Sequence, residues 1–357
     1  MDIKNTKRPF IIAGPCSAES EKQVLETAKQ IASYGINVFR AGIWKPRTRP
    51  GNFEGVGSKG LEWLKKVKQE TGMKVTVEVA NTKHVYEALK AGIDILWIGA
   101  RTSANPFAVQ EIADSVKGMN IPIMVKNPIN ADIDLWIGAV ERFQKVGITN
   151  ITAIHRGFST YTKSIYRNDP MWQIPIEFKR RTKNIPVLCD PSHISGRRDL
   201  LLKVSQKAMD LNCEGLMIET HIDPDTALSD AKQQITPENL NKLIKNLTIR
   251  HRKLSDSEFP EYEETLEELR TKIDEYDNII FDYFSKRMDV AKEIGLLKKK
   301  SKITVFQPER WNEIVKNTVK KGTESGLSDK FVKAILNSVH QESIDRQTRI
   351  LNKTTEK

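Results

Sequence analysis

The chain has 357 residues and only three cysteines, Cys16, Cys189 and Cys213. An odd, widely spaced set of this kind argues against a disulfide framework. No apolar run approaches the ~18 residues that cross a bilayer, so no transmembrane helix is expected. The opening MDIKNTKRPF contains no apolar signal region and runs straight into an apolar stretch, which points to a cytoplasmic protein. A first strand starting at about Phe10 also leaves no room for a regulatory domain ahead of it. No GxGxxG follows that run, so a dinucleotide-binding doubly wound sheet lacks support. No motif interleaves aromatic and basic residues in the way nucleic-acid binding requires.

Charge of one sign is in excess: net +11, with a pI near 9.3. Residues 1–250 hold 36 Lys and Arg against 26 Asp and Glu, whereas residues 251–357 hold 21 against 20. The surplus therefore lies in the first part, where basic residues stand singly at expected strand ends. That placement suits small anionic substrates better than a phosphate backbone.

Eight short β-branched runs recur along that part: FIIAG, NVFRAG, KVTVEV, DILWIGA, IPIMVKN, NITAIHRG, IPVLCD and EGLMIET. Helical stretches such as KQVLETAKQIASYG separate them. Alternation of strand and helix eight times in ~250 residues predicts a parallel (β/α)₈ barrel, with an open doubly wound sheet as the competing architecture. Composition then shifts. RHRKLSDSEFPEYEE is charged and poor in apolar residues, which sets the expected domains at 1–252 and 263–357 with a linker at 253–262.

In a barrel of this kind the C-terminal strand ends converge on one mouth. The residues there are Cys16, Arg40, Lys45, Glu78, Arg101, Lys126, Arg156, His193 and Glu219, with Asp230 shortly after the last strand. Cys16, His193, Glu219 and Asp230 offer one sulfur, one imidazole and two carboxylates, a mixture suited to a divalent transition metal rather than Mg²⁺ or Ca²⁺. Arg40, Lys45, Arg101, Lys126 and Arg156 are cationic donors for phosphate and carboxylate groups. Together they imply a polyanionic substrate with a carbonyl polarised by the metal.

The motifs GPCSAES, FRAG, KPRT, IGAR, VKNP, HRG, CDPSH, IETH and LSDAKQQ resemble the type I 3-deoxy-D-arabino-heptulosonate 7-phosphate (DAHP) synthases in their shorter β subgroup, over residues 8–250. The related 3-deoxy-octulosonate 8-phosphate synthases share the scaffold but carry a KANRS-type motif where KPRT stands here. The resemblance implies condensation of phosphoenolpyruvate with erythrose 4-phosphate. It implies Cys16, His193, Glu219 and Asp230 as metal ligands, with Mn²⁺ the expected ion. Arg40, Lys45, Arg101, Lys126 and Arg156 would then hold phosphoenolpyruvate, and Lys45, Pro46, Arg47 and Thr48 would position the aldose phosphate. Lys45 is implied as catalytic. The competing reading is an octulosonate-type barrel with a non-catalytic helical sensor or dimerisation domain.

From Glu263 the pattern is helical to about Lys299, then again at 308–321, and from an N-cap at Ser328 to about Leu351. Leu266, Leu269, Ile273, Tyr276, Ile280, Tyr283, Arg287, Val290, Ile294 and Leu297 follow a 3-4-3-4 spacing, a coiled-coil-like seam long enough to pack on a second copy of itself. Arg287 interrupts the seam and calls for an anionic partner. LEELRTKIDEYDNII and FSKRMDVAKEIGLLKK resemble the long first helix of the all-helical chorismate mutases. That resemblance implies Arg287, Lys298 and Gln347 as catalytic, and Arg270 and Ser343 as further substrate-binding positions. Arg287 and Lys298 are eleven residues apart, ~20° around a helix and so on one face, while Arg270 lies about 100° from Arg287. The resemblance places Arg270 in a partner's site. Gln307 and Trp311 stand where that family commonly has acidic residues. A homodimer through the helical domain or a higher oligomer, and control of the synthase by prephenate, complete the expectation.

Overall fold

The computed structural model describes residues 3, 8–45, 51–161, 164–252 and 259–352. It divides into two compact units, Met1–Arg252 and Lys253–Lys357.

The first unit is a closed parallel barrel in which each strand pairs with its neighbours in sequence and the eighth pairs with the first. The strands are β1 (Phe10–Gly14), β2 (Val38–Arg40), β3 (Lys74–Val79), β4 (Ile95–Ile98), β5 (Ile123–Lys126), β6 (Ile151–His155), β7 (Val187–Cys189) and β8 (Gly215–Glu219). Each lies within its predicted run. The outer helices are α1 (Glu21–Ser33), α2 (Lys59–Thr71), α3 (Thr82–Lys90), α4 (Pro106–Ser115), α5 (Ile133–Lys145), α6 (Gln173–Thr182), α7 (Pro191–Ser195), α8 (Leu201–Asp210) and α9 (Pro237–Lys245). Their starts follow from local chemistry: Ser20, Asn81, Asn105, Asp132, Asp190 and Thr236 each accept a hydrogen bond from a first-turn backbone N–H.

Two layers of side chains fill the barrel. Ile12, Val38, Ile95, Trp97, Met124, Ile154, Leu188 and Met217 form the inner apolar layer. A larger cluster fills the space between strands and helices. Side chains along a strand repeat every two residues, so the next inward position beyond the apolar layer is set as well. Val38 leads to Arg40, Met124 to Lys126, Ile154 to Arg156, Leu188 to Asp190 and Met217 to Glu219. All five of these polar residues are buried. On β1 the corresponding position is Gly14, where a Cβ would lie 2.0 Å from the Arg40 carbonyl oxygen.

The second unit has three helices, α10 (Glu263–Ser301), α11 (Pro308–Glu324) and α12 (Asp329–Asn352). At ~1.5 Å per residue α10 spans roughly 58 Å. It packs on α12, and Gly295 lets the two approach closely: a Cβ there would sit 3.2 Å from Gln347 Cγ. Ser328 caps α12 through the Phe331 N–H, 3.3 Å away. Leu266, Leu269, Ile273, Tyr276, Ile280 and Tyr283 of the seam are all exposed within the single chain.

Candidate active sites

Cys16 follows β1 and is wholly buried. Its Sγ lies 3.3 Å from Asp230 Oδ2, and Cys16, Glu219 and Asp230 each offer a ligand atom within 4.8 Å of the others. Asp230 adopts a left-handed conformation, φ 49°, held by Arg167 Nη1 at 3.1 Å from Oδ1. His193 stands beside this trio, its Nε2 3.6 Å from Glu219 Oε1 and its Nδ1 2.8 Å from Asp190 Oδ2. The structure thus brings the four predicted ligands together, three compactly and the imidazole at their edge.

The donor set fits a divalent transition ion on grounds of its own. Glu219 is fully buried, and among the described residues its Oε1 accepts no hydrogen bond, with Arg40 Nη2 3.4 Å away, while Gln233 Nε2 donates to Oε2 at 2.6 Å. A buried, unsatisfied carboxylate oxygen beside a thiol and an imidazole is a costly arrangement that a cation relieves. Burial, then Asp190 and Glu219 pulling the other way, leave His193 below the usual histidine range, and the neutral imidazole is the ligating form. Burial and the Glu219 carboxylate push the Cys16 thiol up to about 12, so loading a cation there must displace the thiol proton.

The cations line the same mouth. Lys45 Nζ lies 2.7 Å from Cys16 Sγ and donates to the Cys16 carbonyl at 3.0 Å. Arg40, 2 % exposed, reaches Glu219 at 3.4 Å with Nη2, but its Nε and Nη1 have no hydrogen-bond partner among the described residues. Lys126 donates to Asp190 Oδ2 at 2.7 Å. Arg156 donates to Asn168 Oδ1 at 2.8 Å; burial, with Arg167 and Arg101 adding to it against Asp190, lowers it to about 10. Arg101 is exposed on the turn after β4. Trp97 floors the cluster, with Arg40 4.9 Å and Lys126 6.0 Å from its ring centroid. Pro46, Arg47 and Thr48 lie outside the described residues.

Asp190, Arg167, Gln233 and Trp97 carry no predicted role, although all four support the site. Asp190 could have been found from the strand alternation, since it stands two residues after inward-facing Leu188. Arg167 and Gln233 sit in loops and carry no periodic signal.

In the second unit a cavity of about 270 Å³ is bounded by all three helices. Arg287, Lys298, Ser343 and Gln347 line it. Arg287 Nη1 donates to Ser343 Oγ at 2.8 Å, so the anionic partner expected for this arginine is replaced by a hydroxyl. Lys298 Nζ donates to the Val305 carbonyl at 2.5 Å. Gln347 is buried and its Oε1 is unsatisfied. Burial holds both Arg287 and Lys298 below their ordinary ranges. Arg310 and His340 also line the cavity, and sequence reading assigned neither; Arg310 stands one helical turn after Gln307, and His340 one turn before Ser343. Gln307 and Trp311 are lining residues too. Arg270 is not; it is exposed on the N-terminal half of α10, 3.1 Å from Glu267.

The sequence profile of the DAHP synthetase I family matches residues 2–253, and that of chorismate mutase type II matches residues 269–348. A phospho-2-dehydro-3-deoxyheptonate aldolase of Thermotoga maritima is 34 % identical over 247 residues, covering 69 % of this chain and 70 % of that protein. A 2-dehydro-3-deoxyphosphooctonate aldolase of Variovorax paradoxus is 30 % identical over 265 residues, covering 67 % and 88 %. The crystal structure of the Thermotoga maritima DAHP synthase superposes with a TM-score of 0.59 at 33 % identity, over 66 % of this chain and 67 % of that one.

Proposed function

We propose a mechanism for a chain that belongs to the DAHP synthetase I family over residues 2–253 and carries a chorismate mutase type II domain over residues 269–348. It is a bifunctional shikimate-pathway enzyme with a synthase and a mutase activity. The finer reading is metal-dependent condensation of phosphoenolpyruvate with erythrose 4-phosphate in the barrel, and rearrangement of chorismate to prephenate in the helical unit. The observation that carries it is the meeting of Cys16, Glu219 and Asp230 within 4.8 Å under a mouth of buried cations.

Cys16, His193, Glu219 and Asp230 would hold the cation. When bound, it supplies Lewis acidity to the aldehyde carbonyl of the aldose. Arg40, Lys126 and Arg156 bind the phosphate and carboxylate of phosphoenolpyruvate, with Arg101 at the mouth. Arg40 has two guanidinium nitrogens without hydrogen-bond partners among the described residues, which suits it to meet an incoming anion. Lys45 stands at the junction of the two groups, and with residues 46–48 it positions the aldose phosphate. The enol carbon forms a C–C bond to the aldehyde carbon, whose oxygen takes a proton. Water then adds at the other end of the former enol, the carbon that bears the phosphate ester, and the C–O bond from that carbon to phosphate breaks, leaving a ketone and inorganic phosphate. Burial keeps the site dry enough for fixed charges to act strongly.

Mutase chemistry needs no nucleophile; it needs a dicarboxylate held in a compact conformer. Arg287 and Arg310 face the carboxylates. Lys298 and the Gln347 side-chain amide stabilise charge on the breaking ether oxygen. The exposed apolar row on α10 supports a homodimer in which Arg270 completes the partner's site. Prephenate bound among Arg287 and Lys298 is the proposed feedback signal to the synthase, in a cytoplasmic setting.

The deciding experiment is turnover of phosphoenolpyruvate with erythrose 4-phosphate against arabinose 5-phosphate, with and without chelator. Chelator-sensitive turnover of the four-carbon sugar supports the reading. Preference for the five-carbon sugar would move the barrel to octulosonate synthesis, and turnover indifferent to chelator would remove the metal.

A further inference from the structure

We propose that His340 is a binding residue of the helical-unit cavity and that its imidazole takes up a proton when a dicarboxylate enters. The inference rests on the reading that this cavity receives chorismate and prephenate.

Placement comes first. His340, Ser343, Ile344 and Gln347 follow helical spacing on α12 and all line the cavity. The imidazole lies on Trp311 of α11, ring centroids 3.8 Å apart and planes 10° from parallel. Phe306 flanks it at 5.9 Å. Stacking engages the ring face and fixes its plane, while both nitrogens lie on the edge, where they can reach a ligand.

Charge comes second. The cavity's charged groups are Arg287 and Lys298 from α10 and Arg310 from α11; α12 presents Ser343 and Gln347, both uncharged. No carboxylate lines it among the described residues. Arg310 is itself paired with Glu313, 2.5 Å away and outside the lining. Burial, then Arg287 and Lys298, hold His340 below the ordinary histidine range, so the ring is neutral at pH 7 while the cavity holds no anion. Two carboxylates placed among these cations offset the field that disfavours the charged ring, and a carboxylate within reach of the ring edge raises its affinity for a proton.

The sign follows from linkage. A group whose affinity for protons is higher in the complex strengthens binding fully below its free value, and that gain is lost as pH rises through its bound value. Affinity for a dicarboxylate should therefore fall as pH rises from below the free ring's lowered value through the higher value of the ring in the complex.

Calorimetric titration of the full chain with prephenate at pH 7, in two buffers of unlike ionisation heat, counts the protons taken up. The expected uptake in the native chain is a measurable fraction of a proton, at most one, per ligand bound. In His340→Phe, which keeps a ring against Trp311, and in His340→Gln, which keeps hydrogen-bonding capacity, binding should persist with uptake near zero. Binding by the native chain without proton uptake overturns the inference alone. Uptake undiminished in either variant assigns the proton to another group and also overturns it. Failure of the native chain to bind prephenate removes the reading of the cavity, and the inference with it.

Discussion

The ammonium of Lys45 stands 2.7 Å from the sulfur of Cys16, which ties the second residue after β1 to the first residue of the loop expected to hold the aldose phosphate. Asp230 approaches the same sulfur from 214 positions away. An ammonium and a carboxylate thus converge on one thiol. Replacing Cys16 by Ala should reduce synthase turnover and Mn²⁺ affinity, measured by equilibrium dialysis, by more than the ~100-fold typical of losing an outer-shell partner. Mutase turnover should stay intact, and Cys189→Ala and Cys213→Ala should behave as the native chain does. Full synthase activity in Cys16→Ala would remove the sulfur from the metal site.

Asp190 neutralises Lys126 at 2.7 Å and orients His193 at 2.8 Å, in a place without solvent. Removing one member of a buried pair leaves the other charge uncompensated, at a cost of about 3–5 kcal/mol. Asp190→Asn should lower the calorimetric transition of the barrel accordingly and abolish synthase turnover. An unchanged transition would show that Lys126 finds another partner.

Glu78 accepts a hydrogen bond from Trp97 Nε1 at 3.2 Å, and Gly99 leaves the space its carboxylate occupies. A Cβ at residue 99 would fall 1.9 Å from Glu78 Oε1. Gly99→Ala should therefore displace Glu78 from the Trp97 indole on which Arg40 and Lys126 lie, with a loss of about 1–3 kcal/mol from overpacking and a marked drop in synthase turnover. Native stability and turnover together would show that the carboxylate relocates freely.

Arg287→Ala removes the guanidinium held by Ser343. Loss of mutase turnover and loss of prephenate inhibition of the synthase should appear together, with basal synthase turnover retained. A tenfold preference of prephenate for the inhibited state corresponds to about 1.4 kcal/mol, within the range of one charge-assisted contact. Undiminished inhibition would place the regulatory site elsewhere.

Ile273 and Tyr276, 58 % and 65 % exposed in the single chain, belong to the seam on α10. If a second copy covers them, the native chain should sediment as a dimer or larger, and Ile273→Glu with Tyr276→Glu should sediment as a monomer with weakened mutase activity. A native chain that sediments as a monomer would end the shared-site reading of Arg270.

Much of this protein was legible before any coordinates. Eight apolar runs of strand length, separated by helical stretches, call for a parallel α/β architecture that buries every run on both faces, and the pairing of β8 with β1 decides for the closed barrel over an open sheet. The period of two along each strand then places Arg40, Lys126, Arg156 and Glu219 directly above an apolar layer. The same logic on a helix sets Arg287 and Lys298 on one face. Local periodicity says nothing about which loop residues meet across the mouth. The contact of Asp230 with Cys16 exists because barrel closure brings β8 beside β1, while those of Arg167 with Asp230 and of Gln233 with Glu219 depend on how the segments after β6 and β8 fold over the mouth. Likewise Asp190 is visible in the sequence as a helix cap, but its pairing with Lys126 depends on the distance across the barrel interior. His340 shows the limit most plainly. One turn from Ser343 it has a helical address, yet only the packing of α11 against α12 lays it on Trp311 inside a cavity lined by cations.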